Sequence, residues 1–294
     1  MKKLLKDLAI AYPKTLKEAL ALQGDEATRG KVLAGGTDLV AQWAAGVPLP
    51  ERATSLRLVR GLDDIRVLRD GTVRVGAMVT HALLRDCDEV RRRLPALCAA
   101  AGSVGATQIQ AMGTLGGNAA NASPAGDTAP AMLVTGGRAV AASVRGEREI
   151  PLEAFWTGYR QLALAPDELV TAFLLPGKPR GAAEGFRKIG TRNAQAISKV
   201  MVAWRVVMDK GTGRIASAAI ALGSVAATAV RLGEVEARLA GRKPTARLAR
   251  EAAEWTRGAV KPIADIRSTA EYRLHVAGVL VHDVVAGLAA GAGQ

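Results

Sequence analysis

The chain is 294 residues long, 49% hydrophobic but only 3% aromatic, and carries a formal net charge of +13. That length suits about two domains with cores of Ala, Val and Leu, and no apolar run approaches the roughly 18 residues that span a bilayer, so no transmembrane segment is expected. The excess of Lys and Arg invites a nucleic-acid reading. However, the basic residues lie mostly singly among alanines, with Arg91–Arg93 the only run of three, and few aromatics are available to stack bases.

In chain order, Leu4 to Leu22 carries apolar residues at helical spacing around Pro13, which predicts a short strand and then a helix from Thr15. Lys6, Asp7 and Pro13 interrupt any signal-peptide core, so a soluble, cytoplasmic chain is expected. Val32–Ala34 reads as a strand, followed by two glycines and then Thr37 and Asp38 as cap residues of a helix toward Trp43. Ser55–Val59 and Thr72–Val75 read as strands, with Asp70–Gly71 as a turn signal. Thr80 is placed to cap a helix through Leu84, and Arg92–Ser103 reads as a helix entered through Pro95. Ala129–Val134 begins a buried helix, after which segments from Arg138, Glu147 and Asp167 look strand-like.

Pro176-Gly177-Lys178-Pro179 is the clearest linker and marks a domain boundary. Beyond it, Lys199–Asp209 and Arg214–Leu222 alternate and meet at a turn, as a β-hairpin does. Leu232–Leu239, Thr245–Trp255 and Thr269–Leu288 read as helices. The second half is therefore expected to be an antiparallel sheet with helices on one face, an α+β module.

Two stretches bear on function. Gly113–Asp127, GTLGGNAANASPAGD, has Leu115 as its only large apolar side chain, so it is expected to form neither a core helix nor a core strand. It offers sparsely covered backbone N–H groups, which can cradle an anion. The same composition also suits a small-residue crossing between packed elements. Lys31–Leu39, KVLAGGTDL, is a second glycine loop, and two such loops suit a ligand whose pyrophosphate is gripped from both sides.

Other motifs carry no chemistry. Gly211-Thr-Gly213-Arg-Ile-Ala216 matches a relaxed dinucleotide fingerprint but sits in a hairpin turn without a βαβ unit. Gly24–Lys31 has the wrong spacing for a phosphate-binding Walker loop. Cys87 and Cys98 give no disulfide framework or metal spacing, and an iron–sulfur cluster usually takes four cysteine ligands. His81, His275 and His282 fall in no ligand pattern and read as surface or packing residues. No catalytic acid–base set and no metal site is expected, so any chemistry belongs to a bound cofactor.

At this point the motifs together resemble one family. TLGGNAANASPAGDTAPAML is similar to the TIGGN-x-x-x-ASP-x-x-D segment of the flavoprotein (medium) subunits of molybdenum hydroxylases, a family that includes xanthine dehydrogenases and carbon monoxide dehydrogenases. KVLAGGTDLV resembles its first flavin loop and FWTGYRQLALAPDELVTAFLLP the end of its FAD domain. FRKIGTRNAQAISKV and PIADIRSTAEYRLHV resemble its C-terminal signatures.

The resemblance implies an α+β fold: a vanillyl-alcohol-oxidase-type FAD-binding domain over residues 1–177, in subdomains of about 1–55 and 56–177, then a smaller α+β domain over 184–290. It implies FAD contacts from Lys31, Val32, Leu33, Ala34, Gly35, Gly36, Thr37, Asp38 and Leu39 in the first loop. Thr114, Leu115, Gly116, Gly117 and Asn118 come from the second, so a side chain at Gly116 or Gly117 is expected to block phosphate. Asp127 matches a carboxylate that hydrogen-bonds the cofactor, or else caps the helix toward Leu133; Val104, Val170 or Thr171, and Lys188 match further contacts. Lys31 and Lys188 would offset anionic charge.

Many members carry Arg-Asn-Arg-Gly before TIGGN, where this chain has Gln110-Ala111-Met112-Gly113, so the contact of the flavin edge with a partner or acceptor is not read from it. The resemblance implies an oxidoreductase subunit that passes electrons from an iron–sulfur subunit through FAD to NAD, a quinone or oxygen. The molybdopterin and the [2Fe-2S] clusters would lie on partner subunits, in a dimer of heterotrimers. KIGTRNAQAISKV and IRSTAEYR favour the xanthine dehydrogenase branch; the alternative is the medium subunit of a carbon monoxide dehydrogenase or another aldehyde or aromatic hydroxylase. The rival of another class is a basic nucleic-acid or anion-binding module.

Overall fold

The computed structural model of the chain describes residues 8–291, so Leu4 and the other residues before Leu8 lie outside the described part. Strands β1 (Ala9–Ala11), β2 (Lys31–Leu33) and β3 (Arg52–Ser55) form a small parallel sheet in the order β1-β3-β2. Helix α1 (Leu16–Gly24) starts where the Thr15 hydroxyl accepts the Glu18 amide at 3.2 Å, and α2 (Leu39–Ala44) follows β2. The strand expected over 55–59 is not formed. Ser55 ends β3, its hydroxyl accepts the Arg57 amide, and a 3-10 turn runs over Leu56–Leu58.

The second sheet is antiparallel. Strands β4 (Ile65–Val67), β5 (Thr72–Gly76), β6 (Arg138–Ser143) and β7 (Gly146–Pro151) belong to it, a two-stranded ribbon of β8 (Trp156–Gly158) and β9 (Gln161–Leu162) follows, and β10 (Leu169–Pro176) closes the order β4-β5-β10-β6-β7. Its centre, β10, pairs Phe173 with Val75 on one side and Ala139 on the other, so its run is buried on both faces. Short helices cover it: α3 (His81–Asp86), α4 (Asp88–Arg93), α5 (Pro95–Ser103), α6 (Thr107–Met112), α7 (Leu115–Ala120), α8 (Thr128–Leu133) and α9 (Leu152–Phe155). Thr80 caps α3 by accepting the Leu83 amide. The single helix read over 92–103 breaks at Leu94, because Pro95 opens a new one at its first position.

A third sheet, β11 (Ala183–Ile189), β12 (Val200–Asp209), β13 (Arg214–Gly223) and β14 (Val230–Arg231), is packed by α10 (Gly233–Leu239), α11 (Ala246–Ala259) and α12 (Ala270–Gly291). The expected hairpin is present, with Met201 opposite Gly223 at its open end. Strand β11 had no sequence signal of its own. Val200, Val202, Ile220 and Leu222 bury against Leu248, Leu280 and Val284. The largest core joins Val73, Leu115, Phe155 and Phe173 to Ala203 and Ala221 of the third sheet, so the two sheets share apolar contacts.

Among the described residues one helix, Ala270–Ala290, is long and apolar enough by composition to cross a membrane, with mean hydropathy 1.4, although Glu271, Arg273 and Asp283 interrupt its apolar run. In the fold it packs against α11 and β12, with 44% of the apolar window buried.

Candidate functional site

A cleft of about 1540 Å³ opens between the parallel sheet, the helical layer over the second sheet, and the loops at 195–198, 224–227 and 263–273. It exceeds the roughly 300–1,000 Å³ of ordinary small-molecule sites, which suits an extended ligand.

One wall is the first glycine loop. The chain leaves β2 after Leu33, which is paired with Ser55, and turns at Gly35 and Gly36 into α2. Gly36 has φ +71°, the left-handed region where glycine carries no Cβ penalty. A Cβ on Gly35 would lie 1.8 Å from the Met112 carbonyl oxygen, so only glycine lets this loop touch the chain before α7. The amides of Gly35, Gly36, Thr37, Asp38 and Leu39 find no acceptor among the described residues. Asp38 stands at the cap position of α2, but its carboxylate accepts from the Gln42 side chain instead of capping the helix. The residues of this loop therefore present a row of backbone donors to the cleft.

The opposite wall corrects the sequence reading. Gly113–Asp127 contains a core helix after all: α7 buries Leu115 completely and Ala119 nearly so. Its amides are already used. Leu115 donates to the Val79 carbonyl at 2.9 Å, Gly116 to Ala77 at 2.8 Å, Gly117 to the Thr114 hydroxyl at 3.0 Å, and Asn118 to the Thr114 carbonyl at 2.9 Å. A Cβ on Gly116 would lie 2.6 Å from both Cβ and O of Ala77, so this glycine serves close packing of α7 on the end of β5. Gly117 faces the other way, and its Cβ would stand 3.4 Å from that of Ala34 in the first loop. Free backbone donors therefore stand in the first loop, while those of Leu115–Asn118 have acceptors within the protein.

Asp127 stands at the cap position of α8 without bonding that helix, which removes the capping alternative. One carboxylate oxygen takes the Lys188 ammonium at 2.5 Å and the other takes the Ser198 hydroxyl at 2.6 Å. Lys188 also donates to the Ser103 carbonyl at 2.9 Å. Burial pushes the Asp127 carboxyl up from its ordinary value, while Lys188 and Ser198 oppose that. The cluster ties α8 to β11 and to the loop before β12 across 61 and 71 residues of sequence.

The residues singled out from the sequence largely converge. Lys31, Val32, Ala34, Gly35, Gly36, Thr37, Asp38, Leu39, Val104, Thr114, Gly116, Gly117, Asn118, Asp127 and Val170 line the cleft. Leu33, Leu115, Thr171 and Lys188 do not. Leu33 packs beside Trp43, Leu115 is in the core, the Thr171 hydroxyl turns to the Val140 carbonyl, and Lys188 stands behind Asp127.

Gln110, in the run that departs from the family pattern, is buried. It accepts from Arg85 at 2.6 Å and donates to the Gly102 and Val104 carbonyls at 2.9 and 3.0 Å, so it fixes the loop that carries Val104. His81 was read as a surface or packing residue, yet it lies on the cleft wall. Among the described residues, the non-glycine residues with positive φ, Ala122, Arg160, Gln195 and Ser224, are all on the cleft or one residue from it. Three of them bind across it: the Arg160 amide to Ala122, Gln195 to Gly105 and Ser224 to Pro124. Strained residues of this kind gather at ligand clamps; nothing local in the sequence marks them. Among the described residues no group of His, Cys, Asp and Glu could hold a metal ion.

FAD fits these residues: glycines that let the first loop pack closely on the chain before α7, free amides for its diphosphate, and a volume suited to a dinucleotide. Fold and cleft together mark a protein with room for a dinucleotide-sized ligand.

Comparison with known proteins gives the family. The FAD binding domain in molybdopterin dehydrogenase matches residues 6–178, and the CO dehydrogenase flavoprotein C-terminal domain matches residues 185–288. The chain is 29% identical over 280 residues to the xanthine dehydrogenase FAD-binding subunit of Escherichia coli O157:H7, covering 95% of each. It is 31% identical over 277 residues to the carbon monoxide dehydrogenase medium chain of Afipia carboxidovorans, covering 93% of each. A solved carbon monoxide dehydrogenase structure from Hydrogenophaga pseudoflava contains a chain that superposes with a TM-score of 0.89 at 27% identity, covering 94% of this chain and 95% of that one. The chain belongs to the FAD-binding (medium) subunits of the molybdenum hydroxylases, which are oxidoreductases, and has their FAD-binding fold followed by the flavoprotein C-terminal domain. That membership sets aside the basic nucleic-acid module.

Proposed function

We propose that this chain carries electrons through FAD held in the cleft, between an iron–sulfur partner subunit and an external acceptor. The row of unpartnered amides from Gly35 to Leu39 carries this reading, because backbone donors without protein acceptors suit diphosphate oxygens. Gly117 keeps α7 close to that loop, Asn118 and Asp127 line the far wall, and Val104 and Val170 supply apolar surface for the rings. Bound FAD supplies redox chemistry that no side chain of this fold can. The protein's part is to hold and orient it and to exclude water.

The organisation that goes with this reading is an FAD domain over 1–177, in subdomains of about 1–55 and 56–177, and a second domain over 184–290. Hydroxylation belongs to a molybdopterin subunit, with [2Fe-2S] clusters on a small subunit, in a cytoplasmic dimer of heterotrimers. NAD, a quinone or oxygen takes the electrons. Of the family's branches we favour the purine-oxidising one, on the segments around Lys188–Val200 and Ile266–Arg273. Purified alone, the chain is expected to show slow flavin-dependent diaphorase activity and no hydroxylation. Co-expressed with both partners, it is expected to turn over xanthine and leave carbon monoxide untouched. Hydroxylation of a purine by the single chain at the rate of the full complex would overturn the reading.

A further inference from the structure

His81 opens α3 on the cleft wall with 2% of its surface exposed, and its Nδ1 is enclosed with no hydrogen-bond partner among the described residues. Burying a bare lone pair is less costly than burying an unpaired N–H, so the ring proton belongs on Nε2. The position of that edge follows from Gly113. A Cβ on Gly113 would lie 3.2 Å from His81 Cδ2, the ring carbon bonded to Nε2, and 3.2 Å from the Thr37 hydroxyl oxygen. The imidazole edge and the first glycine loop therefore flank one small gap, which the missing side chain of Gly113 keeps open. The Gly35–Met112 contact closes the same junction from behind. Burial also holds His81 down at about 4, so it is neutral at physiological pH and offers a hydrogen bond without a full charge.

We propose that His81, through Nε2–H, is a direct ligand of the diphosphate of the dinucleotide, facing the same oxygens as the amides of Gly35–Leu39 and the Thr37 hydroxyl. This rests on the FAD reading above, and the probes are chosen to separate the two. Deflavinated full-length chain is titrated with FAD, with ADP (diphosphate without flavin) and with riboflavin (flavin without diphosphate), for wild type, His81→Met and His81→Gln. A hydrogen bond to a charged group corresponds to about ten- to a hundredfold in affinity. His81→Met is expected to lose that factor for FAD and ADP and nothing for riboflavin, and His81→Gln, which keeps an N–H at similar reach, to restore most of it. Unchanged ADP and FAD affinity in His81→Met, an equal loss for riboflavin, or no rescue by glutamine would overturn the assignment. Failure of wild type to bind FAD sinks the flavin reading, while the ADP series still tests His81. Should His81→Met not fold, Gly113→Ala places a methyl in the gap between ring and Thr37 and must weaken ADP binding; ADP bound as in wild type would then overturn the assignment.

Discussion

Replacing Asp127 by leucine separates a cofactor ligand from a structural ion pair. From the sequence, loss of this carboxylate would weaken flavin binding and leave the fold alone, or else remove a helix cap and lower apo stability. In the structure both of its oxygens are engaged, by Lys188 at 2.5 Å and Ser198 at 2.6 Å, and the two charged side chains are only 7% and 12% exposed. Asp127→Leu strands a buried ammonium with the Ser103 carbonyl as its remaining partner. Removing one partner of a buried pair costs about 3–5 kcal/mol. At roughly 2–4 °C per kcal/mol for domains of this size, melting of the apo chain falls by on the order of 10 °C. Replacing both charges, as Asp127→Leu with Lys188→Met, recovers most of that loss, because a matched apolar pair leaves no orphan charge. The assay is thermal unfolding of the apo chain beside FAD titration of the same samples. An unchanged apo melting temperature with lost FAD affinity, or a double variant no better than the single one, would refute the ion-pair account.

Other consequences are as direct. Glu184 pairs with Arg205 at 2.5 Å and accepts the Ala96 amide at 3.1 Å, while Arg205 holds the Pro176 carbonyl at 2.9 Å. Glu184→Leu is expected to lower stability by about 3–5 kcal/mol in urea unfolding, and Arg205→Met in the same chain to restore it. His81 has its pKa lowered by burial to about 4 from 6.5. The unfolded chain therefore binds a proton that the folded chain refuses, and this contribution is complete above pH 6.5 and fades as pH falls toward 4, by about 3 kcal/mol in all. His81→Gln is expected to flatten that part of the apo stability–pH curve; parallel curves would contradict it. Gly35→Ala must open the contact with Met112 and is expected to cut FAD affinity at least tenfold, roughly 1.4 kcal/mol. Gly116→Ala instead meets Ala77 and is expected to lower apo stability by about 1–3 kcal/mol.

The first glycine loop was legible because its signal is local: a strand, two glycines and cap residues within Lys31–Leu39. The hairpin around Gly211 and the helices after Leu232 were legible for the same reason, their periodicity being unbroken. Helix α7 was not, because small residues suggest nothing to bury. The requirement at Gly116 is set by Ala77, which is remote in sequence and close only in the fold. Strand β11 was missed because Ala183–Ile189 is half-buried at every position but the exposed Arg187 and shows no alternation. Ser198 and the left-handed residues Arg160, Gln195 and Ser224 act through partners tens of residues away, and a single sequence does not pair them. His81 carries a weak local cue, its place just after the Thr80 cap, but the cleft that makes it notable is a tertiary feature.

Titrating FAD into the purified, deflavinated chain and counting the flavin retained per polypeptide after gel filtration decides whether the cleft holds the flavin. Wild type is expected to retain one FAD per chain and Gly35→Ala clearly less than one after the same filtration, with both proteins folded. A folded wild-type chain that retains no flavin at saturating FAD, or a Gly35→Ala chain that retains a full equivalent, would contradict this expectation.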